Sequence, residues 1–253
     1  MEFAEYLDEI ARQAAALRAA AVSAGPDAPV PTCPEWRVLD LVRHIARVHN
    51  MVGHALRSAP ESEGVRPDRP PESWDEVLPW WDDQLARMLG TLREVGPDSP
   101  AWVFDMTATS SPIEPNALFW ARRQAHETAV HRLDAEHAKA GSDRADAVPS
   151  LVFEPRFAAD GVDELIVLMV PRKLLRERPQ VGGTVLLHAA DAGRAWLVEL
   201  RPGEVPVVGP ADEIDTDASL VGTADAVYRA AWRRPSTAIV TGDRTLVDAL
   251  RTP

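Results

Sequence analysis

The chain has 253 residues, 45% hydrophobic and 26% charged, enough for a real core in one large domain or two small ones. Its formal net charge of −12 repels phosphate backbones and argues against nucleic acid as a partner. No apolar run reaches the ~18 residues that mark a membrane span. One cysteine, Cys33, excludes an internal disulfide framework. With an acidic N-terminus unlike a signal peptide, it leads to the expectation of a reducing cytoplasm. Arg supplies nearly all the basic charge, Lys139 and Lys173 being the only lysines, and the Ala, Pro and Asp content is that of a GC-rich bacterial genome.

Taken in order, residues 3–24 form an amphipathic pattern through Phe3, Leu7, Ile10, Ala14 and Leu17 that Gly25-Pro26 ends. A proline-stiffened turn, Val30-Pro31-Thr32-Cys33-Pro34-Glu35-Trp36, leads into a second helix from about Trp36 to Ser58. Its rows place His44 and His49 among Leu, Val and Met, whereas Asp40, Arg43, Arg47, Asn50, His54 and Arg57 make a polar row. Residues 59–72 read as an exposed loop. Ser73 and Glu76 have the spacing of a capping box for a third helix to about Val95, in which Pro79 implies a late start or a distorted first turn. Residues 96–113 read as irregular, with Trp102 and Phe104 exposed, and a fourth helix runs from about Pro115 to Ala140, stopped by Gly141. Four long helices in succession predict an antiparallel four-helix bundle over 1–141. After a linker at 141–149, a helix over Phe157–Met169 precedes strand-like runs at Thr184–Ala189, Ala195–Leu200, Ser219–Val221 and Ala238–Val240. Helices capped by Thr223 and Asp243 complete an α+β domain over 150–253. The fold class is therefore α+β overall.

The chemistry concentrates in the fourth helix. Glu127 and His131 are four residues apart, about 400° of rotation, so they share a face. Such a pair is common on solvated faces, but an inward His44 on a facing helix turns it into a two-histidine, one-carboxylate set with coordination positions left open, as in catalytic sites. Zinc suits such a set, and so does iron(II). His126 is five residues from His131 and diverges from it, which defeats a zinc-protease reading. His49 is either a hydrogen-bonded core imidazole or part of the pocket lining. Asp134 either orients His131 or faces solvent. Arg122 and Arg123 read as surface or interhelical charges, and Cys33 as a packing residue.

Cys33-Pro34-Glu35-Trp36, followed by Val38, Asp40-Leu41 and His44, resembles the first signature of the mycothiol-dependent maleylpyruvate isomerase family, and His126 to Asp134 resembles its second. Phe157 to Leu165 and Val240-Thr241-Gly242-Asp243 resemble pieces of its C-terminal domain. The resemblance implies a DinB-like bundle holding a divalent metal through His44, Glu127 and His131, followed by a sterol-carrier-like domain. It implies a low-molecular-weight thiol, mycothiol or similar, as cofactor, and a small-molecule substrate. The reaction would be cis–trans isomerisation of maleylpyruvate-type compounds, or thiol transfer to small electrophiles. It also implies a functional arginine in the C-terminal domain, in the region of Arg233 and Arg234. The alternative is a non-catalytic binder of small molecules or lipid with a structural metal.

Overall fold

The structure, a computed structural model, describes residues 1–104, 113–174, 178, 180–211 and 215–250. The chain divides into two compact units, the first comprising Met1–Phe104 and Glu114–Val148, the second built on the chain from Pro149 onward.

The first unit is a bundle of α1 (Phe3–Ala24), α2 (Val38–Ala55), α3 (Trp74–Val95) and α4 (Ala117–Ala140). α1 packs mainly on α4, and α2 on α3 and α4. Residue pairings give the directions. Tyr6 meets His126 and Gln13 meets Arg132, so α1 and α4 run side by side in the same sense. His44 faces His131 and His49 faces Thr128, so α2 and α4 run in opposite senses. The core is the apolar face of each helix, with Leu17, Leu41, Ile45, Trp81 and Leu92 fully buried.

Several local expectations are corrected. α3 starts at Trp74 and carries Pro79 inside it. The Ser73 hydroxyl does not cap the helix but donates to Glu76 Oε2 at 2.6 Å. α4 starts after Asn116, whose side chain accepts from Phe119 N at 3.0 Å, so Pro115 lies outside it. Gly141 ends α4 in the left-handed conformation at φ 63°. The 59–72 loop is anchored rather than free. Asn50, buried within the nominally polar row of α2, accepts from Asp68 N at 2.8 Å and donates to Asp68 Oδ2 and Gln84 Oε1. Trp102 and Phe104 are half-buried against Trp120 and Phe119, and the part of the 96–113 segment at 105–112 lies outside the described residues.

In the second unit, α5 (Pro155–Glu164) passes through a π-helical turn (Leu165–Met169) into α6 (Val170–Leu174), longer than the sequence pattern suggested. β1 (Gly183–Ala189), β2 (Arg194–Leu200), β3 (Val207–Pro210), β4 (Ala218–Gly222) and β5 (Ile239–Gly242) form one sheet in the order β3-β2-β1-β4-β5. β1 and β4 are parallel and the other pairings antiparallel. β3 has no strand-like signal in its Pro- and Gly-bounded sequence and is found only through its pairing with β2. Alternate residues Val185, Leu187 and Ala189, with Trp196, Val198 and Leu200, are buried on one face. Thr223 and Asp243 cap α7 (Ala224–Ala231) and α8 (Arg244–Ala249) through Ala226 N and Thr245 N. Gly242, at φ 71°, is where the backbone of Asp217 approaches; a Cβ there would stand 2.1 Å from its carbonyl oxygen.

Candidate metal centre

Two helices and one turn build the site. α4 presents Glu127 and His131 one turn apart, α2 presents His44 opposite them, and the turn before α2 lays Trp36 over both imidazoles. The Trp36 ring centroid lies 4.9 Å from that of His44 and 5.9 Å from that of His131. The turn is held by a short network in which Cys33 N donates to Val30 O and Trp36 N to Cys33 O. Cys33 therefore sits in the scaffold of the turn.

His44 Nε2 lies 3.2 Å from Glu127 Oε1, and His131 Nε2 lies 3.4 Å from the same oxygen. One donor atom from each of the three residues falls within 4.8 Å of the others. The edge of a tetrahedron built on metal–ligand bonds of about 2.05 Å is about 3.3 Å, so the two separations to Glu127 already have the length that a shared cation requires. The donor set, two imidazoles and a carboxylate, fits a divalent metal with positions left over for another ligand.

The surroundings fix two of the three donors. Asp134, completely buried, pairs with His131 Nδ1 at 2.8 Å through Oδ2 and accepts from the Thr32 hydroxyl at 2.6 Å through Oδ1. A proton on Nδ1 leaves the Nε2 lone pair aimed at the centre, the carboxylate–histidine arrangement that orients metal ligands. Of the two readings open for Asp134, orientation of His131 is the one its geometry matches. Arg123 donates to Glu127 Oε2 at 3.0 Å and is buried, not a surface charge, so Oε1 is the oxygen left for the centre.

The electrostatics ask for positive charge. Burial disfavours the Glu127 carboxylate, but hydrogen bonds from His131 and His44 and the nearby Arg123 charge hold its pKa well below the usual carboxylate range. Burial likewise disfavours a charged His131, yet its hydrogen bonds to Asp134 and Glu127 raise it to about 9. A proton sits where a cation would serve the same two carboxylates. His49 is different. Its Nδ1 accepts from Trp81 Nε1 at 3.0 Å, its Nε2 bonds Thr128 Oγ1 at 3.1 Å, and burial pushes it down to about 3. It is a neutral, fully satisfied core imidazole that backs the site without entering it.

His126 is fully buried and packs edge-on against Tyr6 of α1. Arg233 and Arg234 belong to the second unit. Arg233 is exposed and left-handed at φ 58°, while Arg234, nearly buried, donates its N–H to Arg229 O and its guanidinium to Trp232 O, closing the end of α7. Beside His44 an open cleft of about 650 Å³ is lined by Trp36, Arg43, Arg47 and Asp68 among others. Thr32 and Arg123 are the supporting residues that sequence reasoning missed. The Pro-rich turn carried a signal for the first, but only the fold shows that residues 102 positions apart meet.

A helical bundle with a pocket of two histidines and one carboxylate, followed in the chain by an α+β unit on a five-stranded sheet, defines the class of this protein. It belongs to the mycothiol maleylpyruvate isomerase family: the family's N-terminal domain matches residues 7–136 and its C-terminal domain residues 156–249. The fold is shared with the crystal structure of the mycothiol-dependent maleylpyruvate isomerase, at 12% identity and a TM-score of 0.58 over 95% of this chain and 93% of that one. A mutant form of that isomerase matches at 13% identity, with the same TM-score and coverage. No curated protein matches the chain. No helix among the described residues is long and apolar enough to cross a membrane.

Proposed function

We propose that this protein is a metal-dependent enzyme that uses a low-molecular-weight thiol, mycothiol or a close equivalent, to isomerise small cis-unsaturated acids of the maleylpyruvate type. Transfer of the thiol to other small electrophiles is the variant of the same chemistry. The observation that carries the reading is the convergence of His44, Glu127 and His131 at 3.2 and 3.4 Å, with Asp134 behind His131. A divalent cation, zinc being the natural choice, would be held by these three residues and would supply stabilisation of a thiolate. His131 is aimed by Asp134, Glu127 is steadied by Arg123, and Trp36 covers both imidazoles and keeps water off one side of the centre. Such a thiolate would add to one carbon of the cis double bond, with the electron pair moving toward the conjugated carbonyl. After rotation about the resulting single bond, loss of the carbon–sulfur bond would restore the double bond in the trans form and release the thiolate. No proton or electron is consumed overall.

The alternative of a lipid binder gains nothing from the apolar space found among the described residues of the second unit. The apolar space among Leu165, Val185, Leu220 and Leu250 is about 10 Å³, room for a water molecule and not for an acyl chain.

The test is metal content per chain, followed by turnover. About one equivalent of metal is expected in the wild type, with release from His44→Ala, Glu127→Ala and His131→Ala while the helical circular dichroism is unchanged. Wild-type protein is then expected to convert maleylpyruvate only when mycothiol is present. Metal retained by all three variants would remove the basis of the reading.

A further inference from the structure

The cleft beside His44 carries two cations that no other described residue pairs with. Arg43 and Arg47 stand four residues apart on α2, on one face, bracketing His44 in sequence. Neither has a hydrogen bond or ion pair with any described residue, and Arg43 Nε is buried with no hydrogen-bond partner among them. A buried guanidinium N–H without an acceptor is costly, and a planar anion is the group that satisfies it best.

The remaining charges on the cleft wall are engaged elsewhere. Asp40 accepts from Arg37 N at 3.0 Å at the start of α2. Asp68 accepts from Asn50 and lies 3.3 Å from His54 Nε2. Arg69 is paired with Glu72. Among the described residues of the wall, Glu35 alone is an acid without such a partner. Two uncommitted cations against one uncommitted anion leave room for a single negative charge, in a space of about 650 Å³ that takes a small organic acid.

We propose that Arg43 and Arg47 form an anion subsite that takes a carboxylate of the small substrate beside His44; its link to the reaction rests on the proposed metal centre, whereas the anion binding itself does not. Arg43, with one guanidinium edge buried, fixes the orientation, and the exposed Arg47 closes over the same group from one turn further along. The subsite belongs wholly to the first unit and selects acids over their neutral esters.

The experiment is calorimetric titration of maleate and of dimethyl maleate into metal-loaded and metal-stripped protein, with metal content measured on every sample. The forms compared are wild type, Arg47→Gln, Arg43→Gln and Arg43→Lys. Maleate is expected to bind the wild type in both metal states and to bind each Gln variant about tenfold more weakly or worse, with metal content unchanged. Arg43→Lys, which keeps the charge but loses the fork, is expected to fall between. Dimethyl maleate is expected to distinguish none of them. The proposal is overturned by undetectable maleate binding to the wild type, by unchanged maleate affinity in the exposed-site variant Arg47→Gln, or by an equal loss for the diester. A protein that holds no metal but still binds maleate through these arginines would sink the metal centre and leave the subsite standing.

Discussion

α2 and α4 both contribute to the same candidate metal centre, yet they are built in opposite ways. α2 is strongly two-sided: Val38, Leu41, Val42, Ile45 and Val52 are buried, and Arg47 and His54 lie on an outer face. α4 has no outer face to speak of. Arg123, Gln124, His126, Thr128, His131, Asp134 and His137 are all buried along with its apolar residues. A polar side chain inside a bundle is tolerated when its hydrogen bonds are made within the protein. Thus Arg123 holds Glu127, Thr128 holds His49, His131 holds Asp134, and His137 Nδ1 meets Ser142 O at 2.8 Å. The helix with the weakest periodicity is the one that carries two of the three proposed metal ligands. The contrast predicts that conservative changes in α4 act strongly and mostly on the site, whereas changes on the outer face of α2 away from the arginine cleft barely register in stability.

The sharpest break of that contrast is Asp134→Asn. The amide keeps the shape of the carboxylate and can still meet Thr32 and His131, but it removes the charge that makes His131 a strong donor. Metal affinity is expected to fall about 10- to 100-fold while the fold is retained. Competition against a chelator of known affinity measures it. An Asp134→Asn protein that holds metal as tightly as wild type would mean that Asp134 only fills space in the bundle.

This difference also explains what could be read from the chain. α1 and α2 have amphipathic rows, so their extents and the inward direction of His44 and His49 were legible. Glu127 and His131 were legible as a pair by spacing, and became a triad only with His44 added. The buried state of Arg123 was not legible, because a helix surrounded on all sides puts polar residues inside at positions where periodicity assigns them to solvent. Asn50 was misplaced for a related reason: its partners Asp68 and Gln84 come from a loop and another helix, and no local pattern announces them. In the second unit the inner strands were legible from their alternation, but β3, exposed at one edge and only four residues long, was not.

His49 gives the intermediate effect, and its sign is fixed by burial. Its folded pKa of about 3 lies below the unfolded value of 6.5, so the folded state takes up fewer protons as the pH drops. The stability it allows is fully present above pH 6.5 and is lost as the pH falls toward 3, by on the order of 5 kcal/mol across that window. Urea unfolding of wild type and His49→Gln at pH 7.0, 6.0 and 5.0 reads it. Numbers of that kind at neutral pH are set by the lost hydrogen bonds to Trp81 and Thr128, with the variant weaker by about 1 to 3 kcal/mol. The gap is expected to narrow steadily on acidification, since the variant lacks the titrating imidazole. A gap that stays constant would show that His49 is not the buried neutral group that its two partners make it.

The smallest effect is expected one turn along α2, where His54 shares Asp68 with Asn50. His54 Nε2 lies 3.3 Å from Asp68 Oδ2, but the two side chains are 47% and 67% exposed, so water competes for both. Exposed pairs of this kind contribute about 0 to 1 kcal/mol, and His54→Ala is expected to shift the urea midpoint only slightly. Asn50 anchors the same carboxylate from inside, through its amide and through the backbone N–H of Asp68, and continues to do so without His54. The loop over the cleft should therefore keep its amide protection against hydrogen exchange in His54→Ala. Loss of protection at residues 66–70 in that variant would show that the outer face of α2 holds the loop, and would erase the distinction between a helix with a solvent side and one without.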